Sequence, residues 1–220
     1  MNILVIAPHP DDEVLGCGGT IAKYAKKGDN VSVCFVTKAY TPDWSEEYIT
    51  NRTVEIKDAH NVLGVEKSYE LDFPTGKLDT IPQKTLNDAL EKVILEVNPE
   101  VVYIPHGGDL HMDHTLVYQA ALVATRPHAN EINTILCYET VSETEWGANE
   151  NLFKANVYED INEFTDTKLK AMEAYRSELK DSPHPRSLKV LSALAVKRGS
   201  EAGLKSAEAF MLIREVSRNK

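Results

Sequence analysis

Paired cysteines, basic surface charge and membrane-length apolar runs are all missing from this 220-residue chain. Its three cysteines, Cys17, Cys34 and Cys137, are far apart and odd in number, with no CxxC pair. That excludes a disulfide framework or a thiolate zinc site and leaves buried free thiols in a reducing compartment. Lys and Arg number 24 against 34 Asp and Glu, a net charge of −10. Nucleic acid and anionic membrane surfaces need clustered cations, so neither is an expected partner. No basic segment leads into an apolar stretch near residue 1, and no run could span a bilayer, so a cytoplasmic location is expected. The glycines of Gly16-Cys-Gly-Gly-Thr20 lack the third glycine of a dinucleotide fingerprint and lie well past the first strand. Close packing of a helix on a sheet is their expected use. Walker A, GxSxG and HExxH patterns are absent as well.

What remains is a composition of 42% apolar and 26% charged residues, the balance of a soluble globular protein, with no break that divides residues 1–220 into more than one domain. Apolar strand patterns at 2–7, 31–37, 66–71, 101–105 and 134–139 alternate with helical patterns at 13–27, 45–63, 83–97 and 113–124. That alternation predicts an α/β fold: a three-layer α/β/α sandwich on a mostly parallel sheet with right-handed crossovers. The last third differs, with helices expected at 162–180 and 187–198 and a late strand at 208–216. It reads as a helical and strand extension that caps or edges the same core.

Two clusters carry the chemistry. His9-Pro-Asp-Asp-Glu13 comes straight off the first strand, and His111-Met-Asp-His114 follows the 101–105 strand. In an open parallel sheet ligands bind beyond the carboxyl ends of the strands, where both clusters fall. A hydrolytic zinc site wants about three His or carboxylate ligands, an open position, and a carboxylate that is not a ligand. His9, Asp12 and His114 make such a set with Asp11 left as the base, although spacing alone does not choose between Asp11 and Asp12. His111 and Asp113 form a pair in which the carboxylate orients the imidazole or keeps it protonated, ready to stabilise an oxyanion and protonate a leaving amine. The competing reading makes Asp11 and Asp12 helix caps. It explains one cluster but not two.

Ala7-Pro-His-Pro-Asp-Asp-Glu13, Gly18-Gly-Thr20, Arg52-Thr-Val-Glu55, Leu63-Gly-Val65 and His111-Met-Asp-His114 together resemble the PIG-L/LmbE family of metal-dependent N-deacetylases. Tyr138–Trp146, His184-Pro-Arg-Ser187, Arg198-Gly199 and Ala207–Phe210 extend the likeness over nearly the whole chain. The resemblance implies a Rossmann-like fold and removal of acetyl from N-acetylglucosamine conjugates, a hydrolysis of linear amides. It makes His9, Asp12 and His114 the metal ligands, Asp11 the general base, His111 the acid and oxyanion stabiliser, and Asp113 the partner of His111. Arg52 resembles the family's substrate-binding arginine. Glu143, Trp146 and His184 are further candidates for the sugar, and Arg186 stands beside the last of these. Asp109 occupies a position where some members carry a tyrosine that polarises the carbonyl, a role an ionised aspartate does not perform. His60, His106 and His128 are expected to be structural or surface histidines.

The expected activity is thus zinc-dependent deacetylation of a small amino-sugar conjugate, with Fe²⁺ or Co²⁺ also suited to a His₂Asp site. The alternatives are a metal hydrolase of another amide or ester, and a sugar- or nucleotide-binding module with a structural metal. The long loops and the Pro-rich 182–186 segment offer a homo-oligomer interface.

Overall fold

Alternation of apolar side chains along the first strand decides how the layers assemble. In β1 (Asn2–Ala7) Ile3, Val5 and Ala7 face one core cluster, whereas Leu4 and Ile6 face another. A strand buried on both faces needs helices on both. The computed structural model describes residues 1–127, 130–147 and 151–218, and His128 lies outside them. It shows a seven-stranded sheet with helices α1 (Asp12–Lys26), α2 (Glu46–Leu63), α5 (Thr165–Ala174) and α6 (Leu188–Glu201) contributing to the first cluster. Helices α3 (Gln83–Val97) and α4 (Met112–Ala124) fill the second.

The strand order is β3-β2-β1-β4-β5-β7-β6, with β2 at Asn30–Lys38, β3 at Lys67–Pro74, β4 at Val101–Pro105, β5 at Thr134–Tyr138, β6 at Val157–Asp160 and β7 at Ala207–Glu215. Strands β1 to β5 pair in parallel, and β7 pairs antiparallel with both β5 and β6. The chain runs outward from β1 through β2 to β3, then returns to place β4 on the other side of β1. The loops after β1 and β4 therefore diverge and open a crevice between them, the topological switch point of such sheets.

Two expectations for the last third change, and one strand is added. Strand β7 lies inside the sheet rather than at its edge, and β6, which no apolar run announces, forms the edge. The helix expected at 162–180 is only Thr165–Ala174. It stops because Tyr175 and Ser177 are drawn into tertiary bonds, Tyr175 Oη to Glu13 (2.6 Å) and the Ser177 N–H to Glu55 (2.8 Å). The glycines behave as expected. A Cβ at Gly16 would lie 2.3 Å from the Tyr138 ring and one at Gly19 2.8 Å from Ile161. Helix α1 is thus held close to the sheet, which fixes the loop that precedes it. All three cysteines are buried and free.

Candidate metal centre and hydrolytic site

The β1–α1 turn and the β4–α4 turn meet in the crevice. Three donor atoms converge there: His9 Nδ1, Asp12 Oδ2 and His114 Nε2, each 3.3 Å from the other two. A tetrahedral zinc with bonds of about 2.0–2.1 Å would hold two ligand atoms roughly 3.3–3.4 Å apart. The three side chains are spaced as one face of such a site would be, and all three line the cavity, whereas spacing along the sequence leaves the choice between Asp11 and Asp12 open. The electrostatics agree. Burial disfavours charge on His9, but Asp113 and Asp12 raise it, and Asp12 and Asp109 hold His114 well above the usual imidazole range. Burial also opposes ionisation of Asp12, yet His114 and His9 keep its carboxyl far below normal. The two imidazoles thus lie among the carboxylates of Asp12, Asp109 and Asp113, a setting that favours positive charge.

The distal nitrogens are held as metal-binding imidazoles usually are. His114 Nδ1 lies 2.8 Å from Asp109 Oδ2, and His9 Nε2 lies 3.0 Å from Asp113 Oδ2. Asp109 is fixed in turn by the Thr144 hydroxyl (2.6 Å), and Asp113 by the Gly76 N–H (2.7 Å). Asp109 was not singled out for this role by its sequence; a carboxylate five residues before a ligating histidine was the available signal. Asp113 requires a correction. Its carboxylate turns to His9 rather than to His111, because the only bond between Asp113 and His111 runs from the Asp113 N–H to His111 Nδ1 (3.1 Å). That bond caps α4 and leaves the proton of a neutral His111 on Nε2. Burial, with His9 and His114 close by, pushes His111 down to about 4. The expected protonated acid is therefore a neutral imidazole with an N–H to donate.

Asp11 lies beside the triangle but outside it. It does not cap α1 with its side chain, and its backbone has φ 113° and ψ −28°. A non-glycine residue is rarely found there, and such backbone persists only when its surroundings over-determine it. Here the Asp11 N–H donates to Glu13 Oε2 (3.0 Å), and Glu13 is itself fully buried. Arg52 donates to the Pro10 carbonyl next door. Burial pushes the Asp11 carboxyl up to about 8 against the pull of Arg52.

The remaining candidates separate. Arg52 lines the cavity, but its guanidinium is engaged by Ser177 (3.1 Å), Glu55 (3.4 Å) and Glu178 (3.4 Å) besides Pro10, so it braces the Asp11 turn. Glu143 lines the cavity, where burial pushes its carboxyl up. Trp146 is 52% exposed, and neither it nor His184 reaches the cavity wall; His184 Nδ1 accepts the Arg186 N–H instead. Arg186 does reach it, with one guanidinium nitrogen 3.5 Å from Asp11 Oδ2 and 2.7 Å from Glu178. The cavity holds about 320 Å³ and adds Trp44, Tyr48, Ile49, Lys38, Glu70 and Asp72, none of them singled out in the sequence. His60 stacks on Phe35 and His106 bonds the Asn151 carbonyl, both as structural histidines.

Comparison with known proteins bears on what this arrangement does. Residues 4–125 match the family described as PIG-L, GlcNAc-PI de-N-acetylase. The chain is 35% identical to an uncharacterized deacetylase of Escherichia coli over 80% of its own length and 91% of the other. It is 27% identical to a probable N-acetyl-α-D-glucosaminyl L-malate deacetylase 2 of Bacillus cereus, over 80% and 83%. Identity is also 27% to a diacetylchitobiose deacetylase of Thermococcus kodakarensis, over 96% and 83%. Among solved structures, a conserved protein of Thermus thermophilus superposes with a TM-score of 0.79 at 26% identity, over 100% of this chain and 97% of that one.

Proposed function

Since this chain belongs to the PIG-L family and is an N-deacetylase, we propose that it removes acetyl from an N-acetylglucosamine-type substrate with the help of zinc held by His9, Asp12 and His114. The observation that carries this is the equilateral 3.3 Å triangle of donors with a buried carboxylate, Asp11, beside it and not in it. Zinc in that triangle would act as a Lewis acid on the acetamide carbonyl, lower the pKa of water, and draw Asp11 back toward the range of a working base.

The residues of the chain do the rest. Asp11 accepts a proton from the attacking water as its oxygen bonds to the acetamide carbon. His111 donates its Nε2–H to the oxygen on which negative charge develops, a task for a neutral imidazole. Asp11 then returns the proton to the departing nitrogen as the C–N bond breaks, leaving acetate and a free amine. Asp113 and Asp109 keep the two ligating imidazoles in the required tautomer, and Glu13 with Arg52 holds the strained Asp11 turn. No described helix is long and apolar enough to cross a membrane.

Acetate release from N-acetylglucosamine conjugates, measured before chelation, after it and after Zn²⁺ add-back, tests this reading. The expected result is release that disappears with the chelator and returns with zinc. Release that is indifferent to a chelator which strips the metal would overturn it.

A further inference from the structure

One peptide unit of the site is gripped at both of its polar atoms. It joins Pro10 to Asp11: the carbonyl accepts from Arg52, and the N–H donates to Glu13 Oε2 (3.0 Å). On the far side of Asp11, its own carbonyl takes the first bonds of α1, from the Val14 and Leu15 N–H groups (3.0 and 2.9 Å). With both flanking peptides fixed, Asp11 is kept at its unusual φ of 113°.

Both grips lead to Tyr175, the residue at which α5 ends. Its Oη donates to Glu13 Oε1 (2.6 Å), so Glu13 accepts from Tyr175 on one oxygen and from Asp11 on the other. Its ring centre lies 5.1 Å from the Arg52 guanidinium carbon, within range of a cation–π contact. Tyr175 and Glu13 are both fully buried, so water does not compete for the bond between them. Burial and the Glu13 carboxylate hold the phenol well above its usual range, which keeps it protonated and able to donate. The two grips are not equally supported. Arg52 has Ser177, Glu55 and Glu178 besides. Glu13 has His60 Nε2 only at 3.7 Å, beyond hydrogen-bond distance, so among the described residues Tyr175 is the one side chain that hydrogen-bonds it.

We propose that Tyr175 is a positioning residue for the reaction: through Glu13 it fixes the Pro10–Asp11 peptide, and with it the place of the Asp11 carboxylate beside the ligand triangle. This rests on the role given to Asp11 above. Tyr175→Phe keeps the ring, and hence the packing and the Arg52 contact, and removes the hydroxyl alone. Tyr103→Phe is the control, since it removes another buried hydroxyl, one that meets Tyr24 (3.3 Å) and not the Asp11 turn. For both variants of the zinc-loaded protein, zinc per chain, urea unfolding and hydrogen exchange of the Asp11 amide by NMR are measured. Acetate release is followed on N-acetylglucosamine and N,N′-diacetylchitobiose. Tyr175→Phe is expected to keep one zinc per chain and its KM. It should lose about tenfold in kcat and speed Asp11 amide exchange about tenfold, the scale of one hydrogen bond to a charged group. Tyr103→Phe should do neither at a comparable loss of stability. On an Asp11→Asn background, Tyr175→Phe should lower kcat no further. An unchanged kcat in Tyr175→Phe overturns the proposal while leaving the deacetylation reading in place, and so does a loss that Tyr103→Phe matches. Faster Asp11 exchange in Tyr175→Phe, with no acetate released by the wild type, keeps the hold on the turn and removes the deacetylation reading.

Discussion

The two turns that build the site look alike in sequence and work differently. The β1–α1 turn brings its carboxylates to the cavity: Asp12 at the triangle and Asp11 beside it, the latter on backbone that has to be held in place. The β4–α4 turn keeps its carboxylates behind the imidazoles, Asp109 on His114 and Asp113 on His9, with ordinary backbone at His111. In the proposed mechanism the first turn carries the carboxylate that moves the proton, and the second carries the carboxylates that orient the two imidazoles. The unusual backbone lies at Asp11, and the carboxylate-held imidazoles are those of His9 and His114.

That contrast can be sharpened by substitution. His111→Ala removes the one group of the second turn assigned to the reacting oxygen. It should keep a full complement of zinc and lose about 10²- to 10³-fold in kcat, the usual cost of an oxyanion donor. Loss of zinc by this variant would move His111 into the ligand set. Asp113→Asn and Asp109→Asn should weaken zinc binding by roughly 10- to 100-fold, read by competition with a chromophoric chelator. If affinity held while turnover fell, these carboxylates would belong with the chemistry instead of the aiming. The smallest effect concerns the scaffold. Gly16→Ala places a methyl against the Tyr138 ring and should destabilise the fold by about 1–3 kcal/mol in urea unfolding. Unchanged stability would mean that α1 can back away from the sheet without cost.

Much of this was readable from the chain because local pattern and tertiary role agree. Strands β1 and β4 are continuous apolar runs, and α3 carries Leu86, Leu90, Val93 and Ile94 on one buried face at the helical period. The convergence of His9, Asp12 and His114 was readable because each cluster sits just beyond a strand end, although the choice of Asp12 over Asp11 came from the family resemblance. Four-residue β6 was not, since Val-Tyr-Glu-Asp at a sheet edge has no apolar run to mark it. The early end of α5 also escaped, because Tyr175 and Ser177 leave the helix for partners more than a hundred residues away. The same applies to Asp113. Two residues from His111 in the chain, its carboxylate is claimed by His9 from the other turn, and no spacing rule reveals that. The far wall of the cavity, with Trp44, Glu70 and Asp72, comes from segments that touch only after β2 and β3 pair.

The division of labour between Asp11 and Asp12 is the centre of this account, and adjacent carboxylates make a sharp test of it. Zinc per chain and acetate release should be measured side by side for Asp11→Asn and Asp12→Asn. Asp11→Asn should keep one zinc per chain and lose about 10²- to 10⁴-fold in turnover, as removal of a general base does, while Asp12→Asn should lose the zinc itself. Zinc lost from Asp11→Asn and retained by Asp12→Asn would exchange the two roles and contradict the site described here.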